Sequence, residues 1–174
     1  MALNLGLFSS AFDPFPHPGY LWAIEQAVKA YSLDGIIAAV YADPSIEHSY
    51  KRKPAMPLED RLAMIGAVRW VKFAVVYHSE QEHLDIIRKL LPDVIIIGED
   101  HRGKPFIEEA LGIPIFWAQR KPGWSGTEFS ERIAKAYLGT HPLLVASPDP
   151  EPEAVYLASG ATTASHSAPD RKGA

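Results

Sequence analysis

Four short stretches of this chain carry residues that could hold a phosphate. The first is Gly6 to Tyr20, which contains Ser9, Ser10, the rings of Phe8 and Phe12, the carboxylate of Asp13, His17, Gly19 and the phenol of Tyr20. The second is the basic run Lys51-Arg52-Lys53. The third is Gly98-Glu99-Asp100-His101-Arg102-Gly103-Lys104. The fourth is Arg120-Lys121-Pro122-Gly123-Trp124-Ser125-Gly126-Thr127. An apolar run leads into the first stretch and a helical pattern follows it. A turn of that kind sets free N–H groups and the positive end of a helix dipole toward an anion. His17 could donate to the same group. Arg120 can grip terminal phosphates bidentately, beside the Ser125 and Thr127 hydroxyls at a helix start. Each stretch also has a plainer reading: a histidine in a proline-rich turn, a solvated charge run, a polar turn, an ordinary N-cap. An ordinary cap needs only Ser125 and leaves Arg120 unexplained.

Bringing these stretches together requires alternating strands and helices, and the hydrophobic pattern predicts them. Leu3–Phe8 reads as a strand and Gly19–Tyr31 as an amphipathic helix. Gly35–Tyr41 is a continuous apolar run, as expected of a strand covered on both faces. A polar loop follows, then a helix with Pro57 at its first position, running to about Val68. Phe73–Tyr77 is a third strand. Ser79-Glu80-Gln81-Glu82 is a capping box opening a helix to Leu91. Asp93–Ile97 is the fourth strand, Pro105–Leu111 a short helix and Ile113–Trp117 the fifth strand. Ser125-Gly126-Thr127-Glu128 is a second capping box, opening a helix to about Leu138. The expected fold is α/β: a Rossmann-like, doubly wound, parallel five-stranded sheet with helices on both faces. Ligands of such sheets sit beyond the carboxyl ends of the strands. Residues 1–140 form the expected domain. Residues 141–174, rich in Pro, Ser and Ala, read as a mobile tail.

Phe12-Asp13-Pro14 followed by His17-Pro18-Gly19-Tyr20 resembles the opening signature of the nucleotidyltransferases with an HxGH motif. Tyr20 stands where that motif has its second histidine. Three residues rather than two separate Asp13 from His17. Gly98 to Lys104 resembles the Gly-Asp-Asp-Trp-x-Gly-Lys stretch of the glycerol-3-phosphate cytidylyltransferase-like proteins, and Arg120 to Thr127 their Arg-Thr-x-Gly-Ile-Ser-Thr-Thr signature. Pro57 to Arg61 resembles their Glu-x-Arg helix opening, although Arg61 could also be a surface residue forming i,i+4 pairs.

The resemblance implies catalytic roles for His17, Lys51, Lys53 and Arg120. It implies nucleotide contacts from Phe8, Ser9, Ser10, Phe12, Asp13, Gly19, Tyr20, Gly98, Asp100, His101, Arg120, Ser125, Gly126 and Thr127. Acceptor contacts fall to Lys51, Arg61, Asp100 and Lys104. Asp13 orients the loop or a Mg²⁺ shell, and Mg²⁺ accompanies the nucleoside triphosphate. No metal site made by the protein alone is expected. The implied reaction moves CMP from CTP to a small phosphorylated alcohol and releases pyrophosphate. Two alternatives are adenylyl transfer from ATP to a phosphorylated cofactor precursor or sugar phosphate, and a module that binds nucleotide without turnover. Tyr20 motivates the last, because a phenol supplies no positive charge at neutral pH. Its presence predicts a slow enzyme, or one in which a lysine or His101 makes up the charge.

His78 and His83 read as surface histidines, and His48, His141 and His166 receive no role. Trp22, Trp70 and Trp117 are expected in the core or an oligomer interface, and Trp124 over a base or the phosphate loop. The chain has 174 residues, of which 47% are apolar, enough for one domain with a real core. A net charge of −4 offers no basic field to nucleic acid or to an anionic membrane. With no cysteine, disulfides and thiolate metal sites are excluded. No apolar run reaches membrane-spanning length, and no leader pattern is visible, so a cytoplasmic protein is expected; the resemblance leaves a homodimer open. A Gly-x-Gly-x-x-Gly dinucleotide fingerprint is missing.

Overall fold

The structure, a computed structural model, describes residues 3–15, 17–103 and 111–140. Five parallel strands form one sheet: β1 (Leu5–Ser10), β2 (Gly35–Tyr41), β3 (Val71–Tyr77), β4 (Val94–Gly98) and β5 (Ile115–Ala118). Their order is β3-β2-β1-β4-β5. The chain builds outward through β2 and β3, then crosses back to lay β4 and β5 on the other side of β1. The direction of winding therefore switches between β1 and β4, where open α/β sheets leave a crevice for ligands.

Burial explains the strand sequences. β2 lies between β1 and β3, and all seven of its residues are buried, which accounts for its unbroken apolar run. β3 is an edge strand, mostly exposed at its start, with Phe73 at 54% exposure. β1 extends to Ser10, two residues past the apolar run, because Ser9 and Ser10 pair in register with Ala39 and Val40. Pairing, rather than hydrophobicity, carries the polar end of this strand.

The helices are α1 (Pro18–Tyr31), α2 (Leu58–Gly66), α3 (Glu80–Leu90) and α4 (Gly126–Thr140). Pro57 precedes α2 as its cap rather than opening it. Alternation along β1 sorts side chains between two cores. Phe8 packs with Val40, Ile96, and Ile24 and Ala27 of α1. Leu7 packs with Ala39, Tyr41, Tyr77 and Ile87 of α3. Ser10 thus faces the α1 side and Ser9 the α3 side. The compact unit covers Met1–Lys135, and of the second, Ala136–Ala174, only the end of α4 is described. The tail expected over 141–174 lies outside the described residues, as does the helix expected over Pro105–Leu111 apart from Leu111. Among the described residues no helix is long and apolar enough to cross a membrane.

Candidate active site

A cavity of about 880 Å³ opens at the carboxyl edge of the sheet. That is the upper part of the size range for small-molecule sites. The first turn enters it from β1. Phe12 adopts a positive φ of 50° there, and its ring is fully buried between Phe8 and Phe15. Phe12 therefore shapes the turn from beneath instead of touching a nucleotide. Asp13 accepts main-chain N–H groups from Ala55 (3.0 Å) and Met56 (2.9 Å). Both carboxylate oxygens are engaged in tying the turn to the loop before α2, so the loop-orienting role is the one the geometry displays.

His17 caps α1. Its Nδ1 accepts the Gly19 N–H at 3.1 Å, and Pro18, which has no N–H to satisfy, opens the helix. The cap assigns the neutral tautomer, because a nitrogen that accepts carries no proton, so Nε2 bears it. The ring is only 4% exposed, and burial lowers its pKa below the ordinary histidine value. Nε2 is buried without a hydrogen-bond partner. A Cβ on Gly19 would lie 2.7 Å from the His17 ring and 2.7 Å from the Trp124 carbonyl, so only glycine lets α1 begin here. Tyr20 packs its ring on His17, with centroids 4.0 Å apart, and its phenol oxygen accepts the Ser10 hydroxyl proton at 3.1 Å. Desolvation raises its pKa, so it stays a neutral phenol.

The opposite wall comes from β4, β5 and α4. Gly98 ends β4, and a Cβ there would stand 2.6 Å from the Asp100 carboxylate, so glycine lets the chain turn into the 3₁₀ segment Glu99–His101. Asp100 and His101 line the cavity, and Asp100 pairs with Arg120 at 3.2 Å, both partly exposed. Ser125 accepts the Glu128 N–H at 3.1 Å while Glu128 accepts the Ser125 N–H at 2.8 Å, the reciprocal pattern of a capping box. Its O–H is left to donate, and Gly126 and Thr127 line the cavity at the helix start. Trp124 lines it too, held against Phe129 and beneath Arg132.

Phe8, Ser9, Ser10, Lys51, Lys53 and Arg120 also line this cavity, so the structure brings together most of the residues singled out from sequence. Arg61 is the main correction. It is 2% exposed, and it donates to the carbonyls of Met56, Ala11, Tyr41 and Ala42 at 3.1, 2.7, 2.8 and 2.6 Å. It neither sits on the surface nor reaches the acceptor, because its donors brace the loops that follow β1 and β2. Lys104 lies outside the described residues. His83 is a second correction: it is 4% exposed, not a surface histidine. Together with His48, Tyr41, Tyr77 and Glu80 it forms a wall that sequence reasoning missed. The available signal was position alone, since each residue ends or follows β2 or β3 on the side where ligands gather. Trp22 is 40% exposed beneath the Lys121 ammonium and contributes no core contact of note.

Residues 7–128 match the cytidylyltransferase-like family, which is more than half of the chain. The chain belongs to the cytidylyltransferase-like family. It is 34% identical over 140 residues to the bifunctional protein HldE of Gluconacetobacter diazotrophicus, a match covering 77% of this chain and 28% of that one. It is 38% identical over 94 residues to the FAD synthase of Methanohalophilus mahii, covering 54% of this chain and 62% of the relative. The chain thus spans less than two thirds of either relative. A lipopolysaccharide core biosynthesis protein of Thermoplasma volcanium superposes with a TM-score of 0.53 at 22% identity, covering 69% of this chain and 98% of that one. That likeness shows a shared fold. Residues of the His17–Tyr20 turn and of the Arg120–Thr127 stretch both line this cavity.

Proposed function

We propose that this protein transfers a nucleotidyl group from a nucleoside triphosphate to a small phosphorylated acceptor. An acceptor phosphate oxygen attacks the α-phosphorus in line. The bond from that phosphorus to the bridging oxygen of the β-phosphate breaks, and pyrophosphate leaves with the electron pair. One observation carries this reading: His17 Nε2–H is buried, unpartnered and set at a helix N-terminus in the cavity. A buried donor without a partner costs about 1–3 kcal/mol, which an α-phosphate oxygen would recover. Arg120, Ser125 and the first turn of α4 suit the leaving pyrophosphate. Lys51 and Lys53 on the loop after β2 suit the acceptor phosphate.

Mg²⁺ bound with the triphosphate would supply charge neutralisation to its phosphate oxygens. Among the described residues no three His, Asp or Glu side chains gather to hold an ion. Similarity to the FAD synthases, whose named product contains adenine, favours ATP as donor. CTP is the second reading, supported by the likeness of Arg120–Thr127 to the cytidylyltransferase signature.

The test measures pyrophosphate release with ATP, CTP, GTP or UTP, each with glycerol 3-phosphate, ribose 5-phosphate, choline phosphate or FMN. Release that needs both ATP and an acceptor is expected. Thermal stabilisation by ATP without any release would instead make the chain a nucleotide-binding module, with Tyr20 the first suspect. A protein that binds no triphosphate would sink both readings.

A further inference from the structure

The cavity has a second wall that the motif residues do not build. Ser9 lies at the carboxyl end of β1 on the α3 face of the sheet, opposite to Ser10. Its Oγ is 2.5 Å from Nε2 of His83, in the first turn of α3. The His83 ring stacks on Tyr77, with centroids 4.4 Å apart and planes at 18°. Tyr77 in turn packs on Tyr41 at 4.5 Å. Ser9 is half-buried, His83 is 4% exposed, and both line the cavity. The ring is therefore held from below while the serine hydroxyl is left at the cavity surface.

In-line displacement gives this wall a direction. The leaving pyrophosphate is assigned to the β5–α4 side, where Arg120 and Ser125 stand, and the α-phosphorus to the turn after β1. The attacking oxygen must arrive from the side opposite the leaving group. That side is the end of β2 and β3, where Ser9, paired with Ala39 of β2 and turned to the α3 face, lines the cavity with Tyr41, Tyr77 and His83. An acceptor phosphate offers only acceptor oxygens, so a serine that holds it must donate its O–H. The serine lone pair is then available for a proton from the ring.

We propose that Ser9 positions the acceptor phosphate for attack, with the Nε2–H of His83 donating to Ser9 Oγ and fixing the direction of the serine proton. Ser9 is the residue that touches substrate, and His83 is a positioning residue acting through it. The assignment rests on the nucleotidyl-transfer reading and adds to it the side from which the acceptor enters.

Two substitutions separate positioning from packing. His83→Gln keeps an N–H near Nε2 and loses the stack on Tyr77. His83→Phe keeps the stack and loses the donor. With ATP saturating, kinetics are measured against glycerol 3-phosphate, ribose 5-phosphate and FMN, and the affinity for ATP alone is titrated separately. Ser9→Ala and His83→Phe should each raise the acceptor KM about tenfold to a hundredfold, as expected for a lost hydrogen bond to a charged group. ATP affinity should stay within about twofold, and the Ser9→Ala/His83→Phe double variant should be no worse than either single one. His83→Gln should restore most of the acceptor KM. If His83→Phe behaves as wild type and His83→Gln does not, the histidine only packs α3, and the proposal falls. It falls equally if the variants weaken ATP binding instead, or if none of the three acceptors shows a Ser9-dependent KM. A wild-type protein that binds no ATP overturns the nucleotidyl-transfer reading itself and this assignment with it.

Discussion

His17 and His83 are counterparts on opposite faces of the sheet. Each is 4% exposed, each lines the cavity, and burial lowers the pKa of each. They differ in where the second nitrogen goes. His17 gives Nδ1 to the α1 cap and leaves Nε2–H without a partner. His83 has Nε2 on Ser9 and its ring flat against Tyr77. Burial alone thus says little about what a histidine does. One ring carries a buried donor without a partner, and the other is bonded to a hydroxyl that lines the cavity. On the proposed reading the cavity has a nucleotide half on the α1 and α4 side and an acceptor half on the α3 side.

Arg61 holds both halves at once, and removing it is the severest way to break the comparison. Arg61→Met leaves four main-chain carbonyls without their donor, three of them on the loops that leave β1 and β2. An acceptor left buried without a donor costs about 1–3 kcal/mol, so with several uncovered the loss should be at least about 3 kcal/mol. Urea unfolding should show that loss, and ATP and acceptor binding should weaken together. An Arg61→Met protein as stable as wild type would show that the brace is dispensable.

His17→Asn attacks the nucleotide half alone. Asparagine is among the best N-caps, so α1 should keep its stability to within about 1 kcal/mol. Its amide does not reach where Nε2 sits. Turnover should fall about 10²–10³-fold, the usual consequence of deleting one donor to a transition-state oxyanion. Thermal melting and steady-state kinetics on the same preparation check both parts. More than a tenth of wild-type turnover would remove His17 from the α-phosphate.

These two residues also mark what the sequence could and could not reveal. β2 was legible to the residue, because seven consecutive buried positions leave a continuous apolar run. The capping box at Ser125 was legible because it is a local hydrogen-bond exchange written within four residues; at Ser79 the cap itself forms, with Ser79 accepting the Glu82 N–H, but the Glu82 carboxylate accepts the N–H of His78 instead of that of Ser79. The residues that line the cavity beside α1 and α4 could be picked out from their motifs, since each lies in a short contiguous stretch at or before a helix start. Arg61 was not, because its partners lie up to 50 residues away and no periodicity encodes which loops fold back over a helix. The Ser9–His83 pair spans 74 residues and depends on which face of β1 each serine takes, which only the register decides. Lone histidines carry no local signal of burial, and His83 was misread for that reason.

The pH dependence of stability sharpens the comparison further. The pKa of His83 falls to about 4 in the folded state from an ordinary 6.5, and desolvation by burial is the cause. Between those values the unfolded chain binds a proton that the folded chain refuses. Stability is therefore full above about pH 6.5 and is lost as pH falls toward 4. From pH 7.5 to pH 5 the loss attributable to this residue is about 2 kcal/mol. His17 adds to it with the same sign. His83→Phe should flatten the slope of urea midpoints over that interval, while His17→Asn removes only the His17 share. Equal slopes in wild type and His83→Phe would show that the ring titrates as it does in water.

Tyr20 gives the smallest expected effect, and it bears on why the nucleotide half has one histidine where its family's motif has two. Its ring packs against His17, Phe12 and Phe15, and its hydroxyl takes the proton of Ser10. As a neutral phenol it can donate one hydrogen bond into the cavity but no charge. Tyr20→Phe keeps the packing and deletes that donor, so turnover should drop only a few-fold, on the order of one neutral hydrogen bond. Tyr20→His restores a group that can carry charge beside the α-phosphate, at a packing cost of about 1 kcal/mol from the lost aromatic contacts. Turnover of Tyr20→His should rise up to about tenfold, and the gain should be larger at pH 6 than at pH 8, where an imidazole is mostly neutral. A Tyr20→His variant no faster than wild type at either pH would mean that the charge in this half already comes from Arg120, and that the phenol is there to support the ring of His17.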